Sequence, residues 1–231
     1  VIDRELTLSG GSYSITVGAG GPKRLGVDDH GRGQRGENTT AFGLTALGGG
    51  AGTGWDDDTN SPNQNADIDG GSGSGNSASD GKSHPSGVGT GLQPTSTDGG
   101  KGNDGGPSNP EFGGGGGGAS TAGQTGDGNF PTSGEGGEGY YIADRYGTIV
   151  PTNTVGAGGT GGYDPRNNSE ASSINSNNGV EKETRQGTSQ SNDYGEKPSP
   201  SNTGHGGHGA NLKNETIGAG GSGVVLIRYE I

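Results

Sequence analysis

The sequence predicts an irregular, mostly non-α fold: a bundle of short polyglycine-II-type extended helices closed by short terminal β-strands that form a small β platform. Three observations lead there. The chain holds 58 glycines in 231 residues, six of them run consecutively from Gly113 to Gly118, and in other glycine blocks the non-glycine residues recur three apart. Glycine weakens helix and strand interiors alike, because it loses the most backbone freedom on folding and brings no side chain to bury. Six in a row therefore mark a linker or a special lattice, and the phase of three argues for the lattice. Glu135 and Glu138, His205 and His208, and Ala157, Thr160 and Tyr163 keep that phase inside their glycine blocks. Ala19 with Pro22, Lys101 with Asp104 and Pro107, and Ala219 with Ser222 repeat it.

A period of three belongs neither to the α-helix nor to the strand. It is the period of the extended left-handed helix, which rises about 3.1 Å per residue and forms no internal hydrogen bonds. The backbone N–H and C=O groups of such rods must pair with neighbouring rods or stay in water. Gly113, Gly114, Gly115, Gly116, Gly117 and Gly118 let neighbours approach on all three faces, so this segment is expected at the centre of a bundle roughly 19 Å deep. Blocks with a side chain at every third position are expected to form its walls.

Composition sets the limits. Hydrophobic residues make up 22% of the chain, against about 45–50% for an ordinary domain when glycine is counted with them, so an oily core of normal size is excluded. Low hydrophobicity and a net charge of −12 also mark disordered chains. Order must then come from backbone hydrogen bonds, each worth about 0.5–1.5 kcal/mol net. With no Cys or Met, disulfides, thiolate metal sites and cysteine nucleophiles are excluded together. A first residue other than Met fits a processed or excised chain. No apolar run is long enough to span a membrane, and the acidic balance argues against nucleic acid, which needs a basic face. No composition break separates two cores, so residues 1–231 read as one glycine-rich domain.

Residues 1–21 contain a period-two pattern, Leu6 and Leu8, then Tyr13, Ile15 and Val17, around Gly10 and Gly11. This predicts an N-terminal β-hairpin. Residues 22–216 alternate glycine rods with polar loops, the longest being 164–203, rich in Ser and Asn and without an apolar period. Residues 217–231 supply a closing rod and a C-terminal strand, the only strongly apolar segment. Pairing of the two ends would make the β platform. Val224, Val225, Leu226 and Ile227 are the expected assembly residues, since an apolar terminal strand is suited to adding to a neighbour's sheet.

The stretches Ser12-Tyr13-Ser14-Ile15-Thr16-Val17-Gly18-Ala19-Gly20-Gly21, Thr45-Ala46-Leu47-Gly48-Gly49-Gly50 and Gly220-Gly221-Ser222-Gly223-Val224-Val225-Leu226-Ile227-Arg228-Tyr229 resemble the glycine-rich domain of tailed-phage tail fibres, a family that includes receptor-binding adhesins. The resemblance implies a sandwich of polyglycine-type helices and a place in a virion tail fibre. The chain departs from the family pattern in its 164–203 loop and in having a single pure polyglycine run.

Sequence signals for chemistry are poor. Gly156-x-Gly158-x-x-Gly161 and Gly218-x-Gly220-x-x-Gly223 match the dinucleotide fingerprint, but neither follows a strand and opens a helix. Glu135 and Glu138 would stand about 9 Å apart along a rod, near the spacing of inverting glycosidases, yet on a flat wet face. His205 and His208 share that geometry and cannot easily meet one metal. Asp56, Asp57, Asp58, Asp67 and Asp69 gather oxygen ligands of the kind calcium prefers, but their spacing fits no named calcium loop, so a solvated acidic loop is the reading. No cofactor and no enzymatic activity are expected.

The function expected is that of a structural, adhesive fibre protein whose loops meet a host-cell receptor, either a saccharide or an outer-membrane protein. Interface energy concentrates in aromatics on rigid supports, and Trp55, Tyr140, Tyr141 and Tyr146 lie in or beside loops. The alternative for such rings is to cap the ends of the bundle, a role that fits Tyr163, which continues a rod's phase, at least as well as contact does. Two other functions fit the composition: a self-assembling subunit of an extracellular filament, and ice binding by a flat rod face.

Overall fold

The computed structural model describes residues 1–22, 24–25, 33–52, 67–76, 87–93, 99–109, 112–126, 134–147, 153–159, 161, 202–206, 216–217 and 219–229. Trp55, Asp56, Asp57, Asp58, Tyr163, His208 and residues 164–201 of the expected 164–203 loop lie outside the described residues, as do the final two residues of the expected C-terminal strand. The described part is mostly non-helical, with a few short antiparallel strands. These are β1 (Ile15–Thr16), β2 (Arg24–Leu25), β3 (Thr39–Ala41), β4 (Leu44–Ala46), β5 (Tyr140–Tyr141), β6 (Thr154–Val155) and β7 (Thr216–Ile217), with one four-residue helix, α1 (Ala143–Tyr146).

Glycine blocks form the bulk of this framework and hold it by backbone hydrogen bonds between segments distant in sequence. The N–H groups of Gly114 and Gly117 donate to the carbonyls of Asn76 and Gly73, those of Gly115 and Gly118 to Gln124 and Thr121, and those of Gly116 and Ala119 to Gly159 and Gly156, all at 2.8–2.9 Å. In each pair the bonds recur at every third residue while the partner's number falls by three, so the three neighbours run antiparallel to the central segment. A fourth neighbour runs parallel: Gly134 and Gly137 donate to the carbonyls of Gly113 and Gly116, each at 2.8 Å. The interval recurs farther out. Gly73 and Asn76 donate to Asn103 and Gly106, Gly123 and Gly126 to Asp104 and Pro107, and Gly220 and Gly223 to Gly21 and Gly18.

Such proximity leaves no room for side chains. A Cβ on Gly114, Gly115, Gly117 or Gly118 would overlap the carbonyl oxygens of Gly106, Glu135, Asn103 or Glu138 respectively, whereas at Gly116 the nearest atom would be the Gly159 nitrogen at 3.5 Å, an ordinary contact. Gly113–Gly118 is buried apart from Gly116, which is half-buried.

Antiparallel pairing takes a different form from the expected N-terminal hairpin. Instead of folding back across Gly10-Gly11, the segment uses the Tyr13 hydroxyl to close a local turn by donating to the Ser9 carbonyl at 2.6 Å, and β1 pairs with β3. The β3–β4 hairpin turns on Phe42 and Gly43, both at positive φ (54° and 77°), the two-residue geometry whose twist matches that of the flanking strands. Phe42 meets the Tyr13 ring edge to face, with centroids 5.5 Å apart.

Chain ends do meet, though not through the strand expected at 224–231. β2 pairs with β7, and the antiparallel run continues as the Gly21–Gly220 and Gly18–Gly223 bonds, each 3.0 Å. Residues 224–229 form no strand. Val224 and Leu226 pack with Val1, Tyr140 and Tyr146 against the buried pair Ile142 and Val155, because these few apolar side chains can leave water only by gathering together.

Candidate functional site

The tyrosines expected to contact a receptor sit on β5 and α1. Pairing with β6 puts Tyr140 opposite Val155 and Tyr141 opposite Thr154, and successive strand residues face opposite ways. Tyr140 is half-buried and Tyr141 is 53% exposed. The helix that follows is one turn long, with the Tyr146 N–H donating to the Ile142 carbonyl and the Gly147 N–H to that of Ala143. Gly147 ends the turn at φ 73°, a conformation glycine adopts at no steric cost.

Asp3 gathers these elements. Its side chain is 7% exposed and accepts hydrogen bonds from the hydroxyls of Tyr140 at 2.7 Å and Tyr146 at 3.2 Å. The Arg145 guanidinium reaches both carboxylate oxygens, at 3.0 and 3.1 Å, and extends its other terminal nitrogen to Glu5 at 3.1 Å. Burial pushes the Asp3 carboxyl upward, but the Tyr140 hydroxyl, the Arg145 charge and the Tyr146 hydroxyl outweigh it and hold the group below the usual carboxylate range. The hydrogen bond to Asp3, then burial, raises the Tyr140 phenol; burial, then the Asp3 charge, raises that of Tyr146. Lys101 places its ammonium 4.5 Å from the centroid of the Tyr140 ring, a cation–π contact. Arg228 donates to the Arg145 carbonyl at 3.3 Å. This clasp ties residues 3–5, the 140–147 segment and the C-terminal segment together, and it uses the hydroxyls of Tyr140 and Tyr146 internally. Of the three tyrosines, Tyr141 is the one presented to solvent.

The remaining candidates are distributed through the lattice. Asp69 caps a loop, its Oδ1 accepting from the Thr90 N–H at 2.6 Å, and the Asp67 carbonyl accepts from Ala51 at 2.6 Å. Among the described residues no three His, Asp or Glu side chains come together as metal ligands. The Glu135 and Glu138 carbonyls accept from Gln124 and Ser120, both at 2.9 Å. His205 is buried, 2% exposed, with Nδ1 accepting from the Ala157 N–H at 3.0 Å. Val224 and Leu226 face the inner cluster, while Ile227 is exposed.

Asp3, Gln93 and Thr203 were not legible as structural residues. Gln93 is buried, its Oε1 accepting from the Leu47 N–H at 2.7 Å and its Nε2 donating to the Thr45 carbonyl at 3.3 Å. Nothing in an isolated glutamine signals such a role. Charge alternation at Asp3-Arg4-Glu5 was the only available hint for Asp3.

Interlocked glycine segments and a small apolar clasp make up the described part of the chain. The chain belongs to the glycine-rich domain family, whose model matches residues 1–230. No curated protein and no solved structure matches it. Among the described residues no helix is long and apolar enough to cross a membrane.

Proposed function

We propose that the glycine segments are polyglycine-II helices and that their bundle is the rigid scaffold of an adhesive fibre domain, carrying loops that bind a host-cell receptor in the manner of a tail-fibre tip. The observation that carries this reading is the three-residue recurrence of backbone bonds around Gly113–Gly118. A threefold helix turns each successive N–H by a third of a circle, so one rod bonds three neighbours in rotation. The loops between such rods are anchored at both ends and vary without disturbing the scaffold. The chain has no enzymatic role in this reading. Of the three tyrosines expected to make contact, Tyr141, exposed beside the clasp, is the one best suited to it, because Tyr offers an apolar face and a polar tip; Trp55 is its counterpart in the sequence.

A cell-adsorption assay with the labelled chain tests the proposal. Tyr141→Ala and Trp55→Ala are expected to reduce adsorption to host bacteria while leaving the thermal melt unchanged. Undiminished adsorption by both variants would refute the contact role, and wild-type protein that adsorbs to no bacterial host would refute the adhesive reading.

A further inference from the structure

The two edges of the β1–β3–β4 sheet are finished differently. Along β4, the Gln93 amide satisfies the Leu47 N–H and the Thr45 carbonyl, closing that edge to further strands. Along β1, no strand pairs with the outer side among the described residues. Residues 4–17, which lead into and through β1, are exposed without interruption, and Leu6, Leu8, Tyr13, Ile15 and Val17 are all among the exposed large hydrophobics. An edge of this kind is normally blunted by Lys, Pro, a bulge or a covering segment. Here Pro22 is the nearest proline and the nearest lysine is Lys23, both beyond the strand.

Charge indicates what would cover it. In a chain of net charge −12, residues 6–22 and 39–52 contain no Asp, Glu, Lys, Arg or His. All three strands of the sheet come from these two segments. Elsewhere two copies of so acidic a chain repel one another, but here like meets like without that opposition. An antiparallel edge is also self-complementary about a two-fold axis: where one residue of the first copy faces another on the second, the reverse pair meets on the far side of the axis.

We propose that β1 is the contact through which a second copy of this chain docks, its own β1 adding antiparallel to the first and covering Ile15, Val17 and Tyr13. This contact is independent of the adhesive reading, since its surface contains neither Tyr141 nor Trp55.

Sedimentation of the full chain across the micromolar range, with thermal melts in parallel, tests it. Wild type is expected to form dimers. Ile15→Lys, at a side chain 44% exposed, is expected to weaken association at least tenfold with an unchanged melt, and Val17→Lys to do the same. Wild type that stays monomeric throughout, or dimers that persist in both variants, would overturn the proposal. Dimers lost together with the melt in Ile15→Lys but retained in a folded Val17→Lys would also overturn it.

Discussion

His205 accepts the backbone N–H of Ala157 on its Nδ1 atom at 3.0 Å, within a site that links the 156–159 segment to the closing segment at 221–222. Thr203 receives the Gly156 N–H and donates to the Ser222 carbonyl, and the His205 carbonyl receives the Gly221 N–H. The imidazole must be neutral to accept at Nδ1, so its proton resides on Nε2.

Burial lowers the His205 pKa from 6.5 to about 4. The unfolded chain then binds more protons than the folded one between these values, so stability present above pH 6.5 is lost as pH falls toward 4. The loss is on the order of 3 kcal/mol at the lower end. Denaturant titrations should show the midpoint falling through this window. In His205→Asn, whose Oδ1 can take the Ala157 N–H without titrating, the midpoint should fall less over the same interval.

Asp3 acts in a lower window. Its carboxyl is held below the ordinary value, so its contribution is complete above the unfolded pKa and disappears as pH falls through the folded one. Tyr140→Phe removes the shortest hydrogen bond to it and should cost about 1 kcal/mol at neutral pH, a modest figure because the clasp is partly open to water. Tyr146→Phe, which loses a longer bond, should cost less. Carboxyl titration followed by NMR should show the Asp3 pKa rising in both variants.

Two neighbouring glycines should respond in opposite ways. A Cβ at Gly115 would overlap the Glu135 carbonyl oxygen, a backbone atom fixed within the lattice, so Gly115→Ala should destabilise by more than about 4 kcal/mol. At Gly116 the methyl meets only ordinary contacts, and Gly116→Ala should lie within about 1 kcal/mol of wild type, with reduced unfolded-chain entropy in its favour. Chemical denaturation of the pair decides it, and equal effects would contradict this packing.

Gln93→Leu should open the edge of β4. Two hydrogen bonds are lost and the Leu47 N–H is left without its acceptor, which should cost about 1–3 kcal/mol. Hydrogen exchange should accelerate at Leu47, while the amide of Gly115, deep in the lattice, should remain protected relative to the global unfolding rate.

The scarcity of α-helix was legible because 58 glycines in 231 residues leave few stretches able to support one, and four residues of α-helix are present among those described. Partner choice was not legible. Gly116 bonds to Gly159 and Gly115 to Gln124, but a glycine carries no side chain to indicate which neighbour it will meet. The N-terminal hairpin was misread because alternation at Leu6, Leu8, Tyr13 and Ile15 specifies an extended chain without specifying its partner. β3 lies far along the sequence and outcompetes the local pairing. The 224–229 segment was misread because its apolar residues were attributed to a ladder, whereas Val224 and Leu226 are used in the cluster around Ile142 and Val155.

The three-residue recurrence of backbone bonds gives the glycine lattice something like a reading frame. One residue inserted between Gly115 and Gly116 would put the N–H groups of Gly116 and Ala119, now paired with Gly159 and Gly156, out of step with the carbonyls that receive them. Every rung downstream would be displaced with them. Inserting three glycines would restore the step and lengthen the segment by one repeat of the bonding pattern, so length change within the lattice should be tolerated in triplets and resisted otherwise.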